Sequence, residues 1–290
     1  MKLAVLIQCH KCPRQVNELI QAFSHPDITV FVHVDRKSDI TGELCGENLY
    51  ILPDSLRVDV QWGTYSQVDA TLHLLRYAKR KGDFDAYCLL SGQDYPTVSA
   101  KKLLEFLSKN PTANYVNLLP CKAYKLSYEN NFDKRNTIYY PAFLIKRNKV
   151  SRVLRRIWVE MSGGYNRTFR FFRRKKPGRF QSYFGSSWWL LSGEFTSFVL
   201  AYLEKHKEYE AYFKHCLCAD ESFFQTLLMN SPYANTRKDY LHYIDWSEGN
   251  NSPKNLTLAD FDSIIESEKL FARKIDNDFD LIKKLQRHME

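Results

Sequence analysis

Apolar residues recur along this chain with two different periods, and the way those periods alternate predicts a fold. Residues 3–7 form a short continuous apolar run, the mark of a strand buried on both faces. Residues 15–23 follow with Val16, Leu19, Ile20 and Phe23 at helical spacing. A second strand is predicted over 29–34, rich in β-branched residues and ending at Asp35, and a third over 48–52. Val68, Leu72, Leu75 and Ala78 mark a helix over 68–78, and residues 85–90 a fourth strand. Then come the polar, proline-stopped segment Ser91-Gly92-Gln93-Asp94-Tyr95-Pro96, a helix over 99–107 and a strand over 114–118. Strands separated by helices in this way predict an α/β fold whose mainly parallel sheet carries helices on both faces. Ligands of such sheets sit beyond the carboxyl ends of the strands. Asp35, Trp62-Gly63 and residues 91–96 fall at or near those ends.

Periodicity weakens over 121–183 and returns as a strand over 187–191 and helices over 195–205 and 221–229. Thr257 with Asp260 three residues on reads as a helix start, running to about 266. No repeat, low-complexity stretch or linker interrupts the chain, so residues 1–290 are expected to form one domain, with 121–183 a less regular excursion. At 44% hydrophobic residues there is ample material for a core.

Charge changes the picture of that excursion. The chain carries a formal +9, yet residues 146–179 alone hold thirteen Lys/Arg against Glu160, a local +12 that leaves the remainder slightly acidic. A local patch points to a local anionic partner, an anionic membrane or an acidic glycan acceptor, with a plain solvated loop as the bland reading. Phe169, Phe171 and Phe172 interleave with the basic residues, which keeps open an alternative, a nucleic-acid-binding protein without transferase activity. No recognised nucleic-acid motif accompanies them, so no nucleic acid is expected as partner. A nucleotidyltransferase would need a carboxylate pair at a strand end for Mg²⁺, and none is found.

Seven scattered cysteines argue against a disulfide framework and for a reducing compartment. Cys9-His10-Lys11-Cys12 contains a C-x-x-C, but a second ligand pair at zinc-finger spacing is missing, and no metal site is expected. The first apolar run is too short for a signal peptide, and no stretch approaches a membrane span. A cytoplasmic protein is expected, peripheral on the inner face of the membrane if the basic patch docks there.

Candidate chemistry is concentrated in four places. Asp35 closes a buried strand where a group reading a ribose or base would stand, or where a turn is capped. Gly92 offers its backbone to a sugar or phosphate, unless 91–96 is an ordinary connection. Asp220-Glu221 precede an apolar helical stretch, either as partners of its dipole or as a base for an acceptor hydroxyl. Arg273-Lys274, after Phe271, can hold a diphosphate or be solvated. Four Asp-x-Asp matches, 83–85, 260–262, 276–278 and 278–280, read as chance: the first precedes its strand, and the others lie in late, helical-looking segments.

Together these segments resemble the core-2/I-branching glycosyltransferases, the family of β-1,6-N-acetylglucosaminyltransferases and peptide O-xylosyltransferases. The matching stretches are His33-Val34-Asp35-Arg36-Lys37-Ser38, Trp62-Gly63 with Ser66 and Ala70-Thr71-Leu72, and Leu89-Leu90 running into residues 91–96. Gly185-Ser186-Ser187-Trp188-Trp189-Leu190-Leu191, Asp220-Glu221-Ser222-Phe223-Phe224 and Phe271-Ala272-Arg273-Lys274 follow in the family's order. The resemblance implies a GT-A-like sheet and an inverting enzyme that moves GlcNAc or xylose from a UDP-sugar to a glycan or lipid-linked hydroxyl, with no cofactor or metal. It implies Glu221 as base and Arg273 with Lys274 facing the diphosphate. Gln8, Cys9 and Asp35 would lie near the uridine with Trp62 close by, and Asp94 and Trp188 in the sugar pocket. One departure stands out: animal xylosyltransferases carry an acid where this chain has Ser187, which puts a protein acceptor in doubt.

Overall fold

The computed structural model describes residues 1–119, 132–145, 149–162, 177–178, 180–249 and 252–290. Its main sheet has seven strands: β1 (Leu3–Cys9), β2 (Ile28–Val34), β3 (Leu49–Ile51), β4 (Ala86–Ser91), β6 (Asn114–Val116), β7 (Trp189–Ser192) and β8 (Arg237–Lys238). They lie in the order β3-β2-β1-β4-β7-β6-β8. The β3-β2-β1-β4 half is parallel throughout, whereas β7 runs antiparallel to both β4 and β6. The expected α/β fold with a mainly parallel sheet is present.

Two-sided burial explains why the first strand reads as an unbroken apolar run. Leu3, Val5, Ile7 and Cys9 enter one core layer, together with Val16, Leu19 and Ile20 of α1 (Pro13–Ala22). Ala4 and Leu6 enter the other, with Val68, Leu72 and Leu75 of α2 (Ser66–Lys81). Local signals set the helix starts. Pro13 opens α1, where its missing N–H costs nothing. The hydroxyl of Ser99 accepts the Lys102 N–H at the head of α3 (Ala100–Ser108), and the Thr257/Asp260 capping box is formed as expected.

The described residues of the basic excursion include α4 (Phe132–Thr137), α5 (Ala142–Ile145) and α6 (Lys149–Met161). Phe169, Phe171, Phe172 and the basic residues around them lie outside the described residues, as does Cys121. After β7 come α7 (Gly193–Lys205), α8 (Lys207–Phe213) and α9 (Phe223–Met229). The chain ends in α10 (Phe261–Glu266) and α11 (Phe279–Met289), the latter capped by Asp278 and packed through Leu281, Ile282 and Leu285.

Two segments differ from expectation in ways that matter for the site. Residues 91–96 are more than a connection: β5 (Asp94–Pro96) is a buried strand of a second, three-stranded sheet in the order β5-β10-β9, with β9 at His242–Ile244 and β10 at Phe271–Arg273. Glu221 does not open a helix. It ends a 3-10 turn, Ala219–Glu221, and α9 starts two residues later. The six cysteines among the described residues are all unpaired. No helix among the described residues is long and apolar enough to cross a membrane.

Candidate active site

The carboxyl ends of β1, β2 and β4 form a crest on which most of the candidate residues stand. Alternation along β1 sends its last two side chains to opposite faces. The Gln8 amide turns toward α2, donating to the Gln67 carbonyl (3.2 Å) and Thr71 Oγ1 (2.7 Å). Cys9 turns toward α1; burial pushes its thiol up to about 12, so it stays protonated, and its carbonyl accepts the Asp35 N–H (2.8 Å). Asp35 is buried and accepts from the Lys37 N–H (2.9 Å) while the Lys37 ammonium lies 3.5 Å away. Arg57 braces this exit by donating to the carbonyls of Val34 and Asp35 (3.0 and 2.9 Å).

Beyond β4 the two sheets meet. Asp94 and Arg273 are register partners across β5 and β10. Arg273 Nη1 donates to Asp94 Oδ1 (2.9 Å) and Ser91 Oγ (2.6 Å), and the guanidinium sits 4.5 Å from the centre of the Trp188 ring. Asp94, fully buried, also accepts the Ser91 N–H through its other oxygen. Placed there, Asp94 is the counter-charge that fixes Arg273, and Trp188 is the surface on which Arg273 lies. Among the described residues no hydrogen bond engages Arg273 Nε or Nη2, so that edge keeps its donors. Lys274 follows; burial first, then Arg273 and Lys11, hold its pKa below the ordinary lysine value, against the pull of Asp276. Lys11 pairs with Asp276 at 2.9 Å. Burial first, then Lys11, Lys37 and Lys274 against the opposing pull of Asp35, hold the His10 pKa below the ordinary histidine value, so three cations act on the exit of β1.

Glu221 stands on the other side of the loop 185–188. The Gly185 N–H donates to the Glu221 carbonyl (2.8 Å), the Ser187 hydroxyl donates to Asp220 Oδ2 (2.5 Å), and the next residue, Trp188, carries Arg273. Gly185 has no room for a side chain, since a Cβ there would meet the Asn117 carbonyl oxygen at 1.8 Å. The Trp62-Gly63 turn closes on the same segment: Gly63, at φ +77°, accepts the Cys218 N–H through its carbonyl (2.8 Å), three residues before Glu221. The Trp62 side chain is exposed beside it.

Arg135 of α4 donates to Glu221 Oε2. Burial raises the Glu221 pKa above the ordinary glutamate value, Arg135 pulls it down, and Asp220 raises it further. The Glu221 side chain is nevertheless 30% exposed, so a hydroxyl can reach it. Asp220 is raised as well, chiefly by burial, and its Oδ1 is buried with no partner among the described residues. A carboxylate held by one arginine, open to solvent and raised toward neutrality suits a general base.

Arg135 is the residue that sequence reasoning misses, along with Lys11 and Asp276. Nothing in its stretch marks it, since a six-residue helix is too short to show a period. The Asp-x-Asp matches also gain detail. Asp85 accepts the Lys2 N–H at the amino end of β4, away from the crest, and Asp260 belongs to a cap. Residues 276–278 precede α11 instead of lying within a helix, and Asp276 stands among the crest cations. Among the described residues no group of three or more His, Cys, Asp or Glu is placed to hold a metal ion.

The fold and this crest define an α/β protein with a cationic edge and a raised carboxylate near the carboxyl ends of its parallel strands. The chain belongs to the Core-2/I-Branching enzyme family, whose model matches residues 6–267. It is 26% identical over 290 residues to the beta-glucuronosyltransferase GlcAT14B of Arabidopsis thaliana, covering 94% of this chain and 62% of that protein. It is 24% identical over 306 residues to xylosyltransferase 1 of Rattus norvegicus, covering 95% of this chain and 34% of the other. The chain therefore spans about three-fifths of the first relative and about a third of the second. Among solved structures, mouse xyloside xylosyltransferase 1 aligns over 96% of this chain and 99% of its own, with 10% identity and a TM-score of 0.41.

Proposed function

We propose that this protein is an inverting glycosyltransferase that moves a sugar from a UDP-sugar to a hydroxyl of a glycan or lipid-linked acceptor, without a metal. The observation that carries this reading is the loop 185–188, which ties a raised, reachable carboxylate at one end to a fixed, half-satisfied guanidinium at the other. In the reaction the acceptor oxygen attacks the anomeric carbon and its proton passes to Glu221. The bond from that carbon to the UDP oxygen breaks with its electron pair, and UDP departs as an anion toward Arg273 and Lys274. Attack opposite the leaving group inverts the centre. A positioned base supplies ~10²–10⁴-fold, and fixed cations at the departing diphosphate supply the electrostatic part without reorganisation.

The uridine is assigned to the exits of β1 and β2, with Asp35 and the Gln8-Cys9 backbone beside it. Trp62 flanks the sugar or acceptor. Donor candidates are GlcNAc and xylose from the resemblance, and glucuronic acid from the names of the relatives. The test is a panel of nucleotide sugars scored for thermal stabilisation and slow donor hydrolysis. Stabilisation by UDP and by one UDP-sugar, with hydrolysis, supports the reading. A panel in which no UDP compound shifts the melting temperature, while single-stranded RNA does, would favour a nucleic-acid binder instead.

A further inference from the structure

Helix α6 is apolar on the wrong side for a globular protein. Its inner face is fixed to the preceding segment: Val159 enters a small core with Ile138, Tyr140 and Ile145, Trp158 Nε1 donates to the Tyr139 carbonyl (2.7 Å), and Ser151 Oγ donates to the Phe143 carbonyl (3.0 Å). Val150, Val153, Leu154, Ile157 and Met161 lie at i, i+3, i+4, i+7 and i+11, one stripe about 100° wide along the axis. That stripe faces outward, and its members are 44–67% exposed. Phe143, 57% exposed on α5, extends the apolar surface at the amino end. Lys149, Arg152 and Arg156 line one flank, all exposed, with the single acid Glu160 beside them, so the flank carries a net positive charge.

We infer that α6 lies in the surface of an anionic lipid bilayer, with the Val150–Met161 stripe in the acyl boundary and Lys149, Arg152 and Arg156 at the headgroups. An apolar stripe edged by cations is the arrangement such a surface rewards on both counts. An antiparallel second copy of the helix fits less well, because it brings two basic flanks together, and a parallel one leaves both flanks without an anionic partner. The docked helix also orients the catalytic edge. Ile138, the residue after α4, packs with Val159 of α6, so a bilayer holding the stripe lies one short connection away from the helix that carries Arg135, the partner of Glu221.

Vesicle co-sedimentation of the 290-residue protein, without substrate, tests this independently of transferase activity. Binding is expected to phosphatidylcholine vesicles containing phosphatidylglycerol, to weaken with salt, and to disappear in Leu154→Asp/Ile157→Asp. Arg152→Glu/Arg156→Glu is expected to weaken binding at least about tenfold. These side chains point outward, so unchanged thermal unfolding of each variant identifies loss of docking apart from loss of fold. Equal sedimentation with neutral and anionic vesicles, or full binding by Leu154→Asp/Ile157→Asp, overturns the proposal. A wild-type dimer in light scattering that this variant dissolves, with no vesicle binding by either, overturns it in favour of a second copy.

Discussion

Two arginine–carboxylate pairs flank the loop 185–188, and they are built in opposite senses. In Arg273–Asp94 the carboxylate is sealed, at 0% side-chain exposure, and the arginine is its more exposed member at 13%. In Arg135–Glu221 the arginine is the more buried at 14%, and the carboxylate reaches solvent at 30%. The two arginines are nearly equally buried, and what differs is the carboxylate, which is the less exposed member of the first pair and the more exposed member of the second. On the proposed reading the first pair presents its cation to a departing diphosphate, and the second presents its carboxylate as the base. A buried ion pair is weak evidence for stability, because desolvation offsets the attraction. Its use here is to fix one charge in place so that the other need not move.

Removing the open carboxylate breaks the comparison most sharply. Glu221→Gln keeps the shape and removes the basicity, so kcat should fall by ~10²–10⁴-fold while donor binding stays near wild type. Calorimetry with UDP alongside turnover on a genuine acceptor separates the two. Near-normal turnover by this variant would transfer the role to Asp220, whose Oδ1 has no partner among the described residues.

Arg273→Ala tests the other pair. Each charge-assisted contact contributes on the order of 1.5–3 kcal/mol, so UDP affinity and kcat/KM should both drop by about ten- to a hundredfold. Arg273→Lys should recover only part of this, because the ammonium cannot reach Asp94 and also present a planar edge to phosphate. An Arg273→Ala protein that binds UDP normally would mean that the guanidinium serves the β5–β10 junction alone.

The two pairs also differ in how far the sequence reveals them. Arg273 is legible because an apolar anchor, Phe271, precedes it and fixes its direction, and Glu221 because two acids stand before an apolar run. Asp94 is named from the sequence as a sugar-pocket candidate, but its pairing with Arg273 is not legible, and Arg135 is not legible at all. Asp94 lies 179 residues before Arg273, and the pairing of β5 with β10 is set by which short strands share an edge, a choice that local pattern does not carry. Arg135 sits in α4, too short to announce itself. The parallel half of the sheet is legible because two-sided burial leaves continuous apolar runs at 3–7 and 29–34. β8 and β9, with two and three residues, leave no such trace. The helical period in α6 is plain, yet period alone does not say which way a stripe faces, and this one faces out.

Arg135 sharpens the comparison through pH. Burial raises the Glu221 pKa and Arg135 lowers it, so the acid limb of the kcat profile should lie above the ordinary glutamate value of about 4.3. Turnover is lost as pH falls through the Glu221 pKa, since the protonated acid cannot accept the acceptor's proton. Burial already raises Glu221 to about 7 with Arg135 in place, so Arg135→Gln, which removes the lowering influence, should move the limb above neutral pH, with activity recovered by raising the pH further. A structural defect would instead lower kcat at every pH and leave the limb in place.

The smallest expected effect is that of chelation. If Arg273 and Lys274 neutralise the departing UDP, turnover in EDTA should equal turnover in Mg²⁺ or Mn²⁺, and metals should shift UDP affinity by less than about twofold. Lys11, Lys37 and Lys274 gather around the exit of β1 and already supply positive charge there, so an added divalent ion would meet repulsion as well as phosphate. The carboxylate most able to change this is Asp276, which Lys11 holds at 2.9 Å beside Lys274. If EDTA abolishes transfer and Mn²⁺ restores it, the cationic reading of the crest fails. Asp276→Asn should then lose the metal response while Asp83→Asn, at the far end of the sheet, keeps it. If EDTA has no effect, Asp276→Asn should instead leave Lys11 and Lys274 without their counter-charge and tighten UDP slightly, the opposite sign from loss of a metal ligand.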